Sequence, residues 1–243
     1  MPLRLTVLGC DGSYAGPGGA GSGYLVQGGG VTVWLDAGPG TLANLQRHVS
    51  LFDVDAIVVS HEHPDHRSDL EGFHVACAYV VHRSGIPVYC PPGVRENSYH
   101  AGAPTLEWRD VHDGATAQIG GLRFMFSRTD HGPETLATRI EVDEPGGASL
   151  LYSADTGPAW HLSSLGPPVD LCLCEATYTF DHEGEAQHLS GAQAGRQAHE
   201  AGARRLLLTH LWPVTDRDAL TAEAIDGYGG PVELATMHQE YAL

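Results

Sequence analysis

The stretch His61-Glu62-His63-Pro64-Asp65-His66 reads H-x-H-x-D-H, with three imidazoles and a carboxylate in six residues. Side chains two apart in a turning segment can converge on one point, and Asp65 with His66 can converge on a neighbouring one. That spacing suits two divalent metals side by side, and the nitrogen ligands favour zinc. The competing reading is a polar loop with surface histidines, but the spacing is that of ligands. The preceding run, Asp55-Ala56-Ile57-Val58-Val59-Ser60, is apolar and reads as a buried strand. The cluster therefore sits where a strand ends, a common place for a site in α/β proteins.

Working outward, the chain has 243 residues, 42% of them hydrophobic, enough for a sizeable core. No stretch of linker composition divides it, so residues 1–243 read as a single domain. Thirty acidic against thirteen basic side chains give a net charge of −17. Proteins that grip many phosphates usually carry the opposite bias, so a small substrate is favoured over a nucleic acid. The five cysteines form no C-x-x-C and no regular disulfide framework. They read as reduced thiols. There is no signal-peptide pattern and no apolar stretch long enough for a membrane span. The expectation is a soluble, cytoplasmic protein.

Strands are expected over residues 3–8, 24–27, 31–35, 86–90, 122–127, 137–142, 149–153, 171–174, 206–208 and 232–235. Helical spacing covers 41–49, 70–81 (with Phe73, Cys77 and Val80 facing inward), 190–201 and 219–225. Ser190 with Gln193 forms a capping box, and Gly202 is placed to end that helix. The glycine-rich segment 16–23 lacks the Lys-Ser/Thr ending of a P-loop and reads as a flexible turn entering a hairpin. Residues 91–115 are weakly patterned, a lid or a surface helix. The order is β-rich then helical, twice over. That points to two similar halves, each a sheet covered by helices on one face.

Four of these strands end in a metal-type ligand: His61, His131, Asp155 and His210. Stacked sheets with those ends at one edge would bring all four together. The division is then His61, His63 and His131 for one ion and Asp65, His66 and His210 for the other, with Asp155 bridging. Two ions about 3.5–4 Å apart can polarise a phosphoryl or carbonyl oxygen and lower the pKa of a bridging water to about 7. The ligand types favour two Zn2+, while the carboxylates would tolerate Mn2+ or Fe2+.

The series His61-x-His63-x-Asp65-His66, His131, Asp155, His210 resembles the metallo-β-lactamase superfamily over nearly the whole chain. The resemblance implies an α/β fold, an αββα sandwich of two mixed sheets flanked by helices. Within the superfamily the chain is most similar to ribonuclease Z-like phosphodiesterases. Tyr152-Ser153-Ala154-Asp155-Thr156-Gly157-Pro158 resembles their Y-S-G-D-T-x-P segment. Glu175-Ala176-Thr177 matches the end of their H-E-A-T motif, with Cys174 in place of the His, and His188-Leu189-Ser190 resembles their H-S-T motif. The resemblance implies that Asp65 serves the chemistry as well as the metals. It also implies that His188 protonates the leaving oxygen or steadies the phosphate and that Glu175 orients His188. It implies a homodimer. The chain departs from the tRNA-processing members in two places. The interval from Asp155 to His188 holds no basic arm, and Pro17-Gly18-Gly19-Ala20-Gly21-Ser22 replaces a charged P-x-K-x-R-N signature. A small phosphodiester, cyclic nucleotide-like, is therefore the expected substrate. Ribonuclease Z activity is the alternative. A thioester or lactam hydrolase and a non-catalytic metal-binding regulator stand behind it.

Overall fold

A computed structural model describes residues 2–243. The first sheet takes β1 (Arg4–Gly9), β2 (Gly23–Gly28), β3 (Val31–Ala37), β4 (Ala56–Val58), β5 (Ile86–Cys90) and β6 (Leu106–Asp110). The second takes β7 (Thr116–Ile119), β8 (Leu122–Arg128), β9 (Leu136–Val142), β10 (Ser149–Tyr152), β11 (Leu171–Glu175), β12 (Leu206–Thr209) and β13 (Val232–Leu234). The last strand, β14 (Glu240–Ala242), returns to pair with β1, so the orders are β14-β1-β2-β3-β4-β5-β6 and β13-β12-β11-β10-β9-β8-β7. Each sheet changes from antiparallel to parallel midway, at β3 and at β10. The two halves expected from the sequence are therefore real.

Both faces of the central strands are buried, which is why they read as continuous apolar runs. In β2, Tyr24 and Val26 enter the core between the sheets while Leu25 faces the helices outside. In β11, Leu171 and Leu173 point inward and Cys172 and Cys174 outward. The outer layer on the first sheet is α1 (Thr41–Leu45), α2 (Pro64–Arg67), α3 (Asp69–Ala76) and α4 (Pro92–Glu96). On the second it is α5 (Gly191–Glu200) and α6 (Arg217–Tyr228). The result is the αββα sandwich. No described helix is long and apolar enough to cross a membrane.

The capping box of α5 is formed from both sides: Gln193 N–H donates to Ser190 Oγ at 3.1 Å and Ser190 N–H donates to Gln193 Oε1 at 3.0 Å. A Cβ at Gly195 would run into the Ala224 carbonyl, because α5 and α6 touch backbone to backbone there. Gly195→Ala should therefore destabilise the chain by about 1–3 kcal/mol through overpacking, read as a lower urea midpoint with an unchanged slope.

Several expectations need correction. The helix at 41–49 stops at Leu45. The one at 70–81 is α3 followed by a π turn, Cys77–Val81, closed by His82 at φ 56°. That wider turn shifts the side-chain phase, so Val80 is 75% exposed rather than inward. Of the two readings for residues 91–115 the helix is present as α4, followed by the unexpected edge strand β6, and β7 and β14 had no legible pattern. The glycine-rich segment is packed, not free. A Cβ at Gly21 would collide with the Asp65 carbonyl, and Ser22 N–H donates to that same oxygen at 3.0 Å.

Candidate metal centre

The loops after β4, β8, β10 and β12 meet at one edge of the two sheets, and all seven expected ligands lie there. One group is His61, His63, His131 and Asp155; the other is Asp65, His66, Asp155 and His210. Within each, the ligand atoms lie within 4.8 Å of one another. His61 Nε2 and His131 Nε2 stand 3.0 and 3.2 Å from His63 Nδ1. His210 Nε2 is 3.2 Å from Asp65 Oδ2, and His66 Nε2 is 3.4 Å from it. Asp155 Oδ2 is 3.7 Å from His61 Nε2 and 3.3 Å from His210 Nε2, and Asp155 Oδ1 is 3.2 Å from His66 Nε2. Ligands at 2.0–2.1 Å around a tetrahedral ion sit roughly 3.3–3.5 Å apart, so these separations fit. Asp155 belongs to both groups.

The donor set also fits on burial. His66 Nε2 and Asp155 Oδ1 are enclosed and face each other without a hydrogen bond. Leaving such atoms unpaired costs about 1–3 kcal/mol each, and an ion between them would remove that cost. Burial and the neighbouring His66 hold His61 well below the usual imidazole range, and burial with His131 beside it lowers His63. Both shifts favour the neutral form that binds metal, whereas the carboxylates of Asp155, Asp65 and Asp36 outweigh burial and raise His66. Burial opposes charge on Asp65 and Asp155. The adjacent His66 and His210 outweigh it and keep both carboxyls below their ordinary range.

A second ring of residues fixes the rings, and the sequence reading missed most of it. His66 Nδ1–H donates to Asp36 Oδ2 at 2.7 Å. Asp36 is held in turn by Ser60 N–H, Ser60 Oγ–H and Tyr152 Oη–H at 2.7, 2.8 and 2.7 Å. His61 Nδ1–H donates to Ser60 Oγ at 3.0 Å and His131 Nδ1–H to the Gln187 carbonyl at 3.1 Å. His210 Nδ1–H donates to Thr177 Oγ1 at 2.8 Å, and Thr177 Oγ1–H donates to Glu175 Oε2 at 2.9 Å. These bonds fix the tautomer that leaves each Nε2 lone pair pointing into the site. Asp36, Ala154 and His210 all have positive φ, 55°, 51° and 56°, so backbone strain collects where ligands are aimed. Asp36 carries the same signal as Asp155, a carboxylate at the end of an apolar strand. Asp36→Asn should weaken metal at the His66 side by about 10–100-fold, measured by competition with a chelator.

Glu175 is fully buried. Its Oε1 accepts from His188 Nδ1–H at 2.9 Å and from Thr156 N–H at 2.8 Å. The His188 ring lies 5.2 Å from both the His131 and His210 rings. Burial opposes a charge on His188, but the Glu175 carboxylate outweighs it and pushes the imidazole up to about 9.

Comparisons with known proteins show the family. Residues 32–211 match the family described as the beta-lactamase superfamily domain. An uncharacterized protein of Mycobacterium tuberculosis is 36% identical over 257 residues, covering 100% of this chain and 93% of its own. The probable metallo-hydrolase YhfI of Bacillus subtilis is 30% identical over 96% of this chain and 97% of its own. The crystal structure of YhfI superposes with a TM-score of 0.90, covering 100% of this chain and 99% of that one. A ribonuclease Z of Myxococcus xanthus is 27% identical over 96% of this chain and 95% of its own. The chain belongs to the beta-lactamase superfamily. It is a metallo-hydrolase of that superfamily by fold, and its His/Asp clusters are suited to binding metal.

Proposed function

We propose that this chain is a dinuclear phosphodiesterase acting on a small, cyclic nucleotide-like phosphodiester, with zinc as the favoured metal. The observation that carries the reading is the Glu175–His188 pair set against both ligand groups. Two divalent ions held by the seven ligands would supply Lewis acidity at a phosphoryl oxygen and lower the pKa of a shared water. What remains is a proton for the leaving oxygen, because an alkoxide departs poorly without one. Glu175 accepts the Nδ1–H of His188, which leaves Nε2 to carry that proton. The same carboxylate steadies His210 through Thr177 and receives the amide of Thr156, next to Asp155. One buried group thus sets the proton donor and two ligands in a common frame. Asp65 takes Ser13 N–H at 2.8 Å, which orients its Oδ2 in the second group.

Ribonuclease Z activity is the second reading, favoured by the Myxococcus xanthus relative. The −17 charge and the uncharged segment 17–22 weigh against it. The two are separated by giving the metal-loaded protein a 3′,5′-cyclic nucleotide and a precursor tRNA in parallel. Opening of the cyclic ester with intact tRNA is the expected result. Cleavage of the tRNA with an untouched cyclic ester would replace this reading with the second.

A further inference from the structure

Beside His188 the surface opens into a cleft of about 380 Å3, within the range of about 300–1,000 Å3 usual for small-molecule sites. Thr177, which holds His210, lines its inner end. The Tyr178 ring stands edge-on to both His188 and Trp212, with centroids 5.9 and 5.2 Å away. Trp212 and Val214 line the same cleft, and Val214 is 77% exposed. Two carboxylates, Glu185 and Asp216, also line the cleft. Glu185 pairs with His182 at 2.8 Å. Asp216 uses Oδ1 to cap α6 and leaves Oδ2 without a partner among the described residues.

The phosphodiesterase reading places the leaving oxygen at His188. Whatever is attached to that oxygen then projects toward Tyr178 and Trp212. Trp212, partly exposed beside the buried Tyr178, gives the cleft one flat aromatic wall, which suits a planar ring, because every base offers a π face to stack. The carboxylates offer hydrogen-bond acceptors and repel further negative charge, which suits a base bearing amino groups and opposes a longer polyanion. We infer that this cleft seats the nucleobase of the substrate, making the ester that of a mononucleotide with an amino-bearing base. The inference rests on the phosphodiesterase reading for the position of the leaving group, and its test does not need turnover.

Binding of adenosine 5′-monophosphate and ribose 5-phosphate to the metal-loaded protein is measured by calorimetry. Adenosine 5′-monophosphate should bind at least tenfold more tightly. Trp212→Ala should abolish the difference by weakening adenosine 5′-monophosphate far more than ribose 5-phosphate. Trp212 also donates Nε1–H to Ser13 Oγ at 2.9 Å, and Ser13 touches Asp65. Trp212→Phe removes that bond and keeps a ring, so it should retain most of the preference. Equal binding of the two ligands by the native chain would overturn the inference, as would a Trp212→Phe chain that loses as much as Trp212→Ala. Failure here alongside hydrolysis of a simple phosphodiester removes only the cleft. A base preference dependent on Trp212, with no diester hydrolysed, removes only the phosphodiesterase reading.

Discussion

Asp155→Asn is expected to bring the bound metal well below the native level and to slow phosphodiester hydrolysis by about a thousandfold. Asp155 alone reaches into both ligand groups, through Oδ2 toward His61 and His210 and through Oδ1 toward His66. Asparagine keeps the shape, removes the charge and puts an amide nitrogen where one ligand oxygen stood. A bound ion pair contributes several kcal/mol to charge stabilisation in the transition state, and each 1.36 kcal/mol is tenfold. Losing the shared ligand should therefore reach both ions at once. Elemental analysis alongside a rate measurement checks this, with a circular dichroism melt to confirm that the chain is folded. A variant with native metal content would show that Asp155 is no bridge.

His188→Ala is expected to keep its metal and to lose rate according to the leaving group. His188 is absent from both four-membered groups that the seven expected ligands form, and its Nδ1 is committed to Glu175. An alkoxide needs the proton that His188 carries, so an alkyl or nucleoside ester should slow by about 10²–10⁴-fold. A p-nitrophenolate leaves readily without a proton, so its ester should slow by only about tenfold, at the weak end of acid catalysis. Equal losses on both esters would move His188 from proton transfer to binding of the phosphate. Loss of metal would make it a ligand, an arrangement that its place beside Glu175 and His210 also allows sterically.

Four members of the cluster stood out in the sequence because each closes a strand with a residue type that apolar packing does not call for. His61, His131, Asp155 and His210 all carry that signal, and two similar halves, each a sheet under helices, followed from two rounds of strands before helices. Three things were not legible, each for a separate reason. Ser60, Thr177 and Tyr152 are ordinary strand-end residues whose partners lie far along the chain, as in Tyr152 and Asp36. Gly21 and Gly38 look like turn glycines, yet a Cβ at either would strike the Asp65 carbonyl. They are small because the ligand loop lies on them. Edge strands were the third gap. β6, with the sequence Leu-Glu-Trp-Arg-Asp, buries one residue of five and alternates too weakly to separate from a loop.

Metal content and hydrolysis, measured on one preparation of the native chain, test the central claim most directly. The protein is loaded with zinc, its bound metal counted, and bis(p-nitrophenyl) phosphate offered beside a thioester and a lactam. Two ions per chain with turnover of the phosphodiester and neglect of the other two substrates is the predicted result. An inert phosphodiester with two ions bound, and a thioester or lactam hydrolysed in its place, would contradict it.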